Sequence, residues 1–533
     1  MKLTEKHEII VLFLIYGIAL YLWTAPINSM PFGDVDAPMH FTVSDYMTQN
    51  DKTMINLPYY LAFFVGGLAE GKLWYPPQFH TAAAIVQALV QSVMQERIIP
   101  LFFFYAFAST LFILSSYLLA RSLFGFLPAA LSSFLLIFSY RDYFYYSHGL
   151  WPQVLSFTFV PVVIYCIYKY TDSFLNKSVQ NKYLYMGVIL AVFQYLFHPQ
   201  GLVFTVGFGV VFFLLAGIKT KKIPFSLKHI IIAGISGVVL LVILSPFQLQ
   251  TSIDVFLLKD SPSPSGGFGL YKPQTLLSWY ADPKDSAGSV PDVLFRYEYV
   301  HYGYWTLPFV ILGIIILLLR RNLKDLVMIS FLISLYIYFH FDVFGLPRAH
   351  RFLEIEAMAF YPIAAFGIIS IASFIPVNAE IKKYLKFALA GVFIILAIAY
   401  NMQGFNKEIQ NTYPGFGRVL PQQYQAAMWM DKNLPENAHV AINGIVIPAK
   451  RKWMMALSHR HTIYDYSPDT ILKDVEDINL TDYVLVDYND ILAWGNSNLA
   501  NWVYSWELTR LQNQTVIYNQ SNIRVYKLES KIY

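Results

Sequence analysis

The chain has few charged residues and one cysteine. Only 14% of its 533 residues are Asp, Glu, Lys or Arg, whereas a soluble domain carries about 25%. This shortage, together with 56% hydrophobic residues, excludes an ordinary soluble protein and indicates a chain that crosses a membrane repeatedly. The single cysteine, Cys166, lies in an apolar segment, which excludes a disulfide framework or a cysteine metal site. The net charge of +4 does not indicate nucleic acid as a partner.

Long apolar segments occupy most of the chain up to residue 402. We count about eleven of them, each roughly 15–25 residues long, which is enough for a helix to span the bilayer. They lie near residues 9–25, 98–119, 123–139, 151–169, 183–197, 201–218, 229–247, 303–319, 325–341, 352–376 and 385–402. Two further segments stay open. Segment 57–69 is too short to span, and segment 81–95 has glutamines at every fourth position, which favours an amphipathic helix at the membrane surface.

Lysine and arginine lie mainly on one side of the predicted membrane domain. The short loops on the side of the N-terminus are basic, as in "KTKKIPFSLK" (219–228). The short loops on the opposite side hold only Arg141, Arg348 and Arg351. Because basic loops stay in the cytoplasm, we predict an integral protein of the plasma membrane with a cytoplasmic N-terminus. Eleven spans then place the C-terminus outside the cell.

The predicted outer side carries three large pieces, namely a first loop over 26–97, a fourth outer loop over 248–302 and a C-terminal domain over 403–533. Helical and strand-like patterns alternate in the C-terminal domain. They are "PQQYQAAMWMDKNL", "HVAINGI", "HTIYDY", "SPDTILKDVED", "DYVLVDY" and a closing hairpin of "QTVIYNQ" and "NIRVYKLE". We therefore predict a polytopic α-helical membrane domain over 1–402, followed by a small extracytoplasmic α/β domain.

Acids, histidines and arginines recur in the predicted outer loops. They are Asp34, Asp36 and His40 in the first loop, Asp142 and His148 in the second, His198 in the third, Glu298 and His301 in the fourth, and Arg348, His350, Arg351, Glu354 and Glu356 in the fifth. Each has a structural explanation as a helix cap, an interface anchor or a packing residue. Charges near a membrane are nevertheless costly and often functional. Carboxylates suit a general base or a divalent cation, and arginines suit a phosphate. One surface with both suits a lipid that has a phosphorylated head group.

Four short motifs within this architecture resemble the GT-C superfamily of integral-membrane glycosyltransferases. "DAPMH" (36–40) has the Asp-x-x-x-His spacing of oligosaccharyltransferase catalytic subunits. "YPPQFH" (75–80) and "ARSLFG" (120–125) are similar to elements of the mannosyl- and aminoarabinosyl-transferase branch. "HRFLEIEAMAFYP" (350–362) resembles the span start that places an arginine near the lipid phosphate in oligosaccharyltransferases. The Trp-Trp-Asp-x-Gly motif that binds the acceptor sequon in oligosaccharyltransferases is missing, so the resemblance favours a monosaccharide transferase.

The resemblance implies a reaction and roles for particular residues. A sugar would pass from a polyprenyl (dolichyl or undecaprenyl) phosphate donor to a glycan, lipid or protein acceptor at the outer membrane face. Asp36 would act as the base with Asp34 beside it, Arg351 and Arg348 would bind the lipid phosphate, and His40, His148, His350 and Glu298 would bind substrate. Asp36 and Asp142 would hold a divalent metal such as Mg or Mn if the enzyme uses one.

Three other functions remain open at this stage. One is oligosaccharyltransferase-like protein glycosylation, which the missing acceptor motif weakens. Another is a transporter or flippase for lipid-linked sugars, which would be expected to show interrupted spans in two matching halves. The third is a non-catalytic membrane scaffold, which would tolerate Asp36→Ala without loss of function.

Overall fold

The computed structural model describes most of the chain. The described residues are 5–33, 36–50, 77–94, 96–246, 268–270, 304–343, 349–406, 418–445, 448–463, 481–493 and 497–529. They form a helical bundle followed by a small mixed sheet with helices around it.

Helices make up nearly all of the described part of the bundle. In chain order they are α1 (Glu5–Thr24), α2 (Ala37–Asn50), α3 (Gln78–Met94), α4 (Ile98–Thr110), α5 (Phe112–Phe124), α6 (Phe126–Leu136), α7 (Tyr140–His148), α8 (Trp151–Thr158), α9 (Val160–Leu175), α10 (Asn181–Phe197), α11 (Pro199–Thr220), α12 (Leu227–Leu244), α13 (Leu307–Arg320), α14 (Leu323–His340), α15 (Glu356–Phe374) and α16 (Ala379–Leu396). A π-helix over Ala397–Met402 extends α16, and 3-10 helices over Tyr304–Thr306 and Ala349–Ile355 precede α13 and α15. Strands β1 (Phe268–Leu270) and β2 (Phe341–Val343) pair in antiparallel fashion.

Eight helical stretches among the described residues are long and apolar enough to cross a membrane. They are Lys6–Thr24, Ile98–Phe124, Trp151–Leu175, Pro199–Thr220, Leu227–Leu244, Leu323–His340, Phe352–Phe374 and Ala379–Asn406. The other three predicted spans coincide with the shorter helices α6, α10 and α13, which have 11, 17 and 14 residues. Large apolar side chains such as Ile235 and Ile243 on α12 face outward, as expected of helices in contact with lipid. The prediction of a polytopic helical membrane protein is confirmed.

Helix α1 is an integral part of this bundle. The buried indole of Trp23 donates its Nε1–H to the carbonyl oxygen of Ile137 over 3.1 Å. Its ring lies against Phe112, Tyr143 and Tyr146. The first apolar segment thus packs as a bundle helix, and the chain leaves it directly for the predicted acidic motif.

Helix α3 has its polar face inward and its apolar face outward. Ile85, Leu89 and Val93 are exposed, whereas Gln87 is fully buried and hydrogen-bonds to α2. The amphipathic pattern is therefore as predicted, and the glutamine side of the helix is the one that packs against protein. An outward apolar stripe on a short helix suits contact with lipid at the membrane boundary. The other open segment, 57–69, lies outside the described residues.

A five-stranded sheet forms the centre of the C-terminal domain. Its strands are β3 (His439–Asn443), β4 (His461–Ile463), β5 (Tyr483–Asp487), β6 (Thr515–Gln520) and β7 (Ile523–Lys527), in the spatial order β4-β3-β5-β7-β6. Strands β4, β3 and β5 run parallel, and β7 pairs antiparallel with both β5 and β6. The helices of this domain are α17 (Pro421–Asn433), α18 (Pro448–Ser458), α19 (Asn489–Ala493) and α20 (Ser497–Leu511).

The predicted strands and the closing hairpin of this domain are all present. The middle strands β3 and β5 each bury four consecutive residues, because central strands are covered on both faces. The sequence analysis did not anticipate helices α18 and α20, and the helix predicted over 467–477 lies outside the described residues. A small α/β domain is confirmed, while its exact boundary at residue 403 stays a prediction.

The C-terminal domain returns to the segment that links α1 to α2. Arg418 donates an Nη2–H to the carbonyl oxygen of Pro26 over 2.6 Å, and Val419 N–H donates to the carbonyl oxygen of Pro31 over 3.1 Å. Helix α18 also packs on α2. The start of α2 is therefore enclosed by both domains.

Candidate active site

The predicted base, Asp36, immediately precedes α2. Its carbonyl oxygen accepts the backbone N–H of His40 over 3.1 Å, which forms the first turn of the helix. Asp36 itself is half-buried, whereas the nine residues that follow it, Ala37 to Asp45, are buried. The acid thus lies at the rim of a packed interior.

Two glycines allow very close packing around the residue after Asp36. Gly149 has a φ of +85°, and a Cβ added to it would lie 2.2 Å from the backbone nitrogen of Ala37. Gly33 has a φ of +122°, and its added Cβ would lie 2.4 Å from the Cβ of Ala37 and 3.1 Å from the carbonyl oxygen of Ser147. Gly149 ends α7, the helix that carries Asp142 and His148. The first two of the predicted outer loops therefore meet at Ala37.

Asp142 and His148 each have a hydrogen-bond partner in or next to α7. The buried carboxylate of Asp142 accepts a hydrogen bond from the Ser139 hydroxyl at its Oδ2 atom. The Nδ1 atom of His148 lies 2.8 Å from the carbonyl oxygen of Phe144, and the rings of His148 and Phe144 are 3.6 Å apart. The element that bears both predicted residues touches the Asp36 segment, as the predicted site requires.

The 3-10 helix Ala349–Ile355 joins the same assembly. It packs on α7 and α8, and Gln153 on α8 donates an Nε2–H to Oε2 of the fully buried Glu354 over 3.0 Å. Ser156 on α8 also donates its hydroxyl to the carbonyl oxygen of His198 over 2.7 Å. Elements of the second, third and fifth predicted outer loops are thereby linked through α8. For His350 and Arg351 only the backbone, in this 3-10 helix, is described.

The remaining predicted site residues cannot be placed in this assembly. Asp34, Glu298, His301 and Arg348 lie outside the described residues. Within the described part of the chain, no three His, Cys, Asp or Glu side chains come together as metal ligands. Asp36 and Asp142 therefore stay predicted ligands of a metal, without a described third ligand beside them.

His40 lies one helical turn after Asp36 and contacts His80 of the "YPPQFH" motif. Its Nδ1 atom is 2.8 Å from Nε2 of His80, and both side chains are buried. Burial lowers the pKa of His80 to about 3. His80 is therefore neutral at ordinary pH, so one imidazole can donate and the other accept. The sequence analysis quoted both motifs and did not foresee their contact, since 40 residues separate the two histidines.

The second half of α2 carries a buried acid that sequence reasoning missed. Asp45 is fully buried and accepts hydrogen bonds from Arg97, Gln87 and Gln49. The Nε atom of Arg97 lies 2.9 Å from Oδ1 of Asp45, and Nε2 of Gln87 lies 2.7 Å from the same oxygen. Burial raises the pKa of Asp45, but Arg97 and His459 together outweigh burial and hold that pKa at about 2. Asp45 is thus a buried, ionised carboxylate.

This ion pair extends into the C-terminal domain through His459, which follows α18. The Nε2 atom of His459 lies 2.9 Å from Nη2 of Arg97 and 3.5 Å from Oδ2 of Asp45. Its Nδ1 atom lies 3.0 Å from Oδ1 of Asp431 on α17. Burial lowers the pKa of His459, but hydrogen bonds to Asp431 and Asp45 outweigh burial and raise it. No local pattern marks these residues, because Arg97 and His459 are 362 residues apart.

Helix α18 closes the site from the side of the C-terminal domain. Trp453 donates its indole N–H to the carbonyl oxygen of Gly33 over 3.1 Å, and its ring lies 5.2 Å from that of Phe41 on α2. Lys450, next to Trp453 on the helix, is buried and pairs with Asp490 over 2.6 Å. Helix α18 lies in the region that corresponds to the Trp-Trp-Asp-x-Gly motif of oligosaccharyltransferases, which this sequence lacks.

Solved structures share this architecture. The Archaeoglobus fulgidus oligosaccharyltransferase in complex with Zn and sulfate has a TM-score of 0.55 at 16% identity, over 90% of this chain and 68% of that chain. ArnT from Cupriavidus metallidurans in the apo state has a TM-score of 0.54 at 11% identity, over 96% of this chain and 97% of that chain. ArnT bound to undecaprenyl phosphate has a TM-score of 0.50 at 11% identity, over 98% of each chain. The predicted resemblance to the GT-C superfamily is confirmed at the level of the fold.

Comparison by sequence finds fewer matches for this chain than comparison of structures. No curated protein matches this chain by sequence. One family model, "Family of unknown function (DUF6541)", matches residues 9–347. The match contains Asp36, Asp142, the histidine pair and most of the membrane helices, and it covers well over half of the chain. The protein is therefore a member of the family of unknown function DUF6541.

Proposed function

We propose that this protein is a glycosyltransferase that moves a sugar from a polyprenyl-phosphate donor to an acceptor at the outer face of the membrane. One observation carries the proposal. A half-buried acid, Asp36, lies where both domains meet, in a fold shared along nearly the whole chain with ArnT, which was solved with undecaprenyl phosphate. A catalyst for such a donor must work at the bilayer surface, because the polyprenyl tail cannot leave the lipid.

The proposed reaction is a direct displacement at the anomeric carbon. Asp36 takes the proton from the acceptor hydroxyl, and the acceptor oxygen forms a bond to the anomeric carbon. The bond from that carbon to the phosphate oxygen breaks, and the polyprenyl phosphate leaves with the electron pair. Arg351 and Arg348 bind this phosphate and stabilise its charge. The anomeric configuration is inverted, and Asp34 supports Asp36.

The proposed substrate ligands are His148, His350, Glu298 and His40. Contact between α7 and the Asp36 segment supports His148. His40 is different, since its buried bond to His80 supports a role in fixing the first turns of α2. Its effect on the substrate would then pass through the position of Asp36.

A divalent cation such as Mg²⁺ or Mn²⁺ belongs to the proposal as a possible requirement. Asp36 and Asp142 would hold it, and the ion would neutralise charge on the phosphate. Because the described residues supply no third His, Cys, Asp or Glu ligand beside them, no step of the proposed reaction depends on the ion.

The proposed orientation has the N-terminus in the cytoplasm. The basic segment 219–228 connects α11 to α12, and the basic pair Arg320 and Arg321 connects α13 to α14. The positive-inside rule puts such connections in the cytoplasm. The C-terminal domain and Asp36 then belong to the outer side of the plasma membrane.

Protein glycosylation by the transfer of an oligosaccharide is the second candidate. The fold likeness to the Archaeoglobus fulgidus oligosaccharyltransferase, at a TM-score of 0.55, favours it. The missing acceptor motif argues against it, because the side chains that would bind a sequon are not found in the region of α18. We therefore prefer transfer of a single sugar.

The test is sugar transfer by the purified full-length protein in vesicles. Radiolabelled polyprenyl-phosphate sugars serve as donors, and wild type is compared with Asp36→Asn. Loss of a general base costs about 100-fold to 10,000-fold in rate, so we expect at least a 100-fold loss of transfer. The matched control is Asp172→Asn, which changes an acid on α9, and we expect near wild-type transfer from it.

Other outcomes distinguish the alternatives. Equal transfer by wild type and Asp36→Asn would remove Asp36 from the reaction. Movement of the donor lipid across the bilayer without transfer would favour a flippase. Transfer of a whole lipid-linked oligosaccharide to a sequon peptide would favour the oligosaccharyltransferase reaction. A parallel series with chelator followed by Mg²⁺ or Mn²⁺ decides whether a metal is needed.

A further inference from the structure

We propose that His459 is a positioning residue, which fixes helix α2 and the preceding Asp36 to the C-terminal domain through a contact that depends on the proton at its Nε2 atom. The effect on catalysis rests on the proposed function, whereas the proton-dependent contact does not. The described contacts of His459 to Arg97, Asp45 and Asp431 involve no residue of the predicted site, so we assign it a positioning role and not binding or chemistry.

Four charged groups from separate parts of the chain meet at this contact. Asp45 comes from α2, Arg97 precedes α4, Asp431 comes from α17 and His459 follows α18. Arg460 also approaches, with Nη1 3.6 Å from Oδ1 of Asp431. Tyr424 adds a weaker electrostatic effect on Arg97, and Glu96 acts in turn on Tyr424. The contact therefore contains two carboxylates, two guanidinium groups and one imidazole.

The imidazole has two alternative hydrogen-bonding states. A guanidinium group can only donate, so the 2.9 Å contact between Nη2 of Arg97 and Nε2 of His459 requires an unprotonated Nε2. Nδ1–H then donates to Asp431. When Nε2 takes up a proton it can only donate, and its near acceptor is Oδ2 of Asp45 at 3.5 Å. Protonation thus replaces a contact with Arg97 by a direct, charged bond from the C-terminal domain to α2.

The direction of the pH effect follows from the two carboxylates. Because hydrogen bonds to Asp431 and Asp45 outweigh burial, the pKa of His459 lies above its ordinary value of 6.5. A histidine with a raised pKa in the folded state adds stability that is fully present below about pH 6.5. That stability disappears as the pH rises through the pKa of the folded state. The C-terminal domain therefore holds α2 more firmly in mildly acidic than in alkaline solution.

The contact is close enough to Asp36 to affect its position. Asp36 directly precedes α2, and Asp45 lies on the same short, buried helix. On the other partner, α18 ends at Ser458, next to His459, and its Trp453 donates to the carbonyl oxygen of Gly33. Helix α18 and the residue after it therefore contact the chain on both sides of Asp36. His459 contacts α2 after Asp36, and Trp453 contacts Gly33 before it.

The backbone at His459 ends α18. Its φ is +50°, in the left-handed region, and its N–H donates to the carbonyl oxygen of Met455 over 3.0 Å. Lys221 and Arg321 end their helices with a similar positive φ, so the conformation is that of a helix end and is not specific to His459.

The experiment compares wild type, His459→Gln and Asp431→Asn as full-length proteins in nanodiscs. The Tm and the kcat and KM for sugar transfer are measured from pH 5.5 to 9. Glutamine keeps a hydrogen-bonding side chain and does not titrate. We expect the Tm advantage of wild type over His459→Gln to be largest near pH 6 and to decrease as the pH rises through the pKa of His459 in the folded protein. Asp431→Asn should move this decline to lower pH, and kcat should follow the Tm advantage while KM changes little.

His439→Gln is the matched control. His439 also lies near a carboxylate, with Nδ1 3.6 Å from Oδ2 of Asp482, and this pair lies at the start of strands β3 and β5. Its substitution should leave the pH profile of kcat unchanged. A constant Tm difference between wild type and His459→Gln across the pH range would overturn the proton-dependent contact. A pH-dependent Tm difference with an unaltered kcat profile would overturn the positioning role. If wild type transfers no sugar, the proposed function fails, and the Tm series still decides whether the contact exists.

Discussion

The two ends of helix α2 are held by different kinds of interaction. Near Asp36 the contacts are neutral and close, namely two glycines against Ala37, the indole of Trp453 on Gly33 and the His40–His80 pair. In the second half of the helix the contacts are ionic, with Asp45 bound by Arg97 and approached by His459. Both regions are buried and both contain histidine.

The difference shows what decides the charge of a buried histidine. Burial alone favours the neutral ring, as at His80, whose pKa falls to about 3. Two carboxylates reverse this at His459, whose pKa is raised although it is also buried. One helix is therefore held at one end by a histidine that is neutral at ordinary pH, and at the other by a histidine whose raised pKa favours the protonated form.

Removing the buried carboxylate at the ionic end should have the largest effect. Asp45→Asn leaves the Arg97 guanidinium in the interior without its carboxylate, and breaking a buried pair in this way costs about 3–5 kcal/mol. A large fall in Tm, measured for the purified protein, is expected. Asp431→Asn is the control, since the side chain of Asp431 is 27% exposed and solvent can screen the loss. A fall for Asp45→Asn no larger than that for Asp431→Asn would show that the ionic end is weak.

The steric contact at the neutral end should come next. Gly149→Ala places a Cβ 2.2 Å from the backbone nitrogen of Ala37, and overpacking of this kind costs about 1–3 kcal/mol. Gly125→Ala is the control for backbone strain without a clash, because open space surrounds its Cβ position. Its φ of +90° and ψ of −179° suit alanine less than the φ of +85° and ψ of +18° at Gly149, so a larger loss in Gly149→Ala reports the contact. A negligible loss in Gly149→Ala would mean that the α7–α2 contact yields easily.

Lowering the pH should reveal the low pKa of His80, the histidine at the neutral end of α2. A pKa of about 3 for His80 in the folded state, against about 6.5 when unfolded, means that the unfolded chain binds more protons between these values. Stability from this group is therefore lost as the pH falls, by about 2 kcal/mol between pH 6.5 and pH 5. His80→Gln should lose less stability over that interval in a Tm series. Parallel curves for wild type and His80→Gln would contradict the low pKa.

The smallest effect is expected from removing the hydrogen bond between the Trp453 indole and the carbonyl oxygen of Gly33. Trp453→Phe keeps most of the ring contact and removes one hydrogen bond, which is worth about 1 kcal/mol. Trp305→Phe is the control, because it removes a comparable bond of 2.8 Å from the Trp305 indole to Oδ1 of Asn401, and neither residue belongs to α2 or α18. Both variants should lose a similar amount of stability, and Trp453→Phe alone should reduce kcat for sugar transfer. A similar reduction in both would show that Trp453 acts through stability only.

In the C-terminal domain, sequence patterns predicted the strands but not the charged helix α18. Strands β3, β5, β6 and β7 follow from short alternating or apolar runs bounded by turn residues. Helix α18 was missed because Lys450, Arg451 and Lys452 stand next to one another, and such a run normally lies in solvent. All three are buried here, which only the surrounding structure makes possible.

For α3 as well, the sequence predicted the helix but not the surroundings of its polar side chains. The spacing of its glutamines predicted an amphipathic helix, since that spacing depends only on the helical period. The direction of its polar face depends on what lies beside it. Gln87 faces inward because Asp45 and the carbonyl oxygen of Arg97 accept its two N–H groups.

By itself the sequence determined the class of protein, the apolar helices and the acid Asp36 after the first of them. These features depend on composition and on short periodic patterns, which a chain displays without folding. The tertiary structure alone decided the partners of the polar side chains. His40 and His80 are 40 residues apart, Asp45 and Arg97 are 52 apart, and Arg97 and His459 are 362 apart. Buried charges and imidazoles take their protonation states from such distant neighbours, and no local pattern records them.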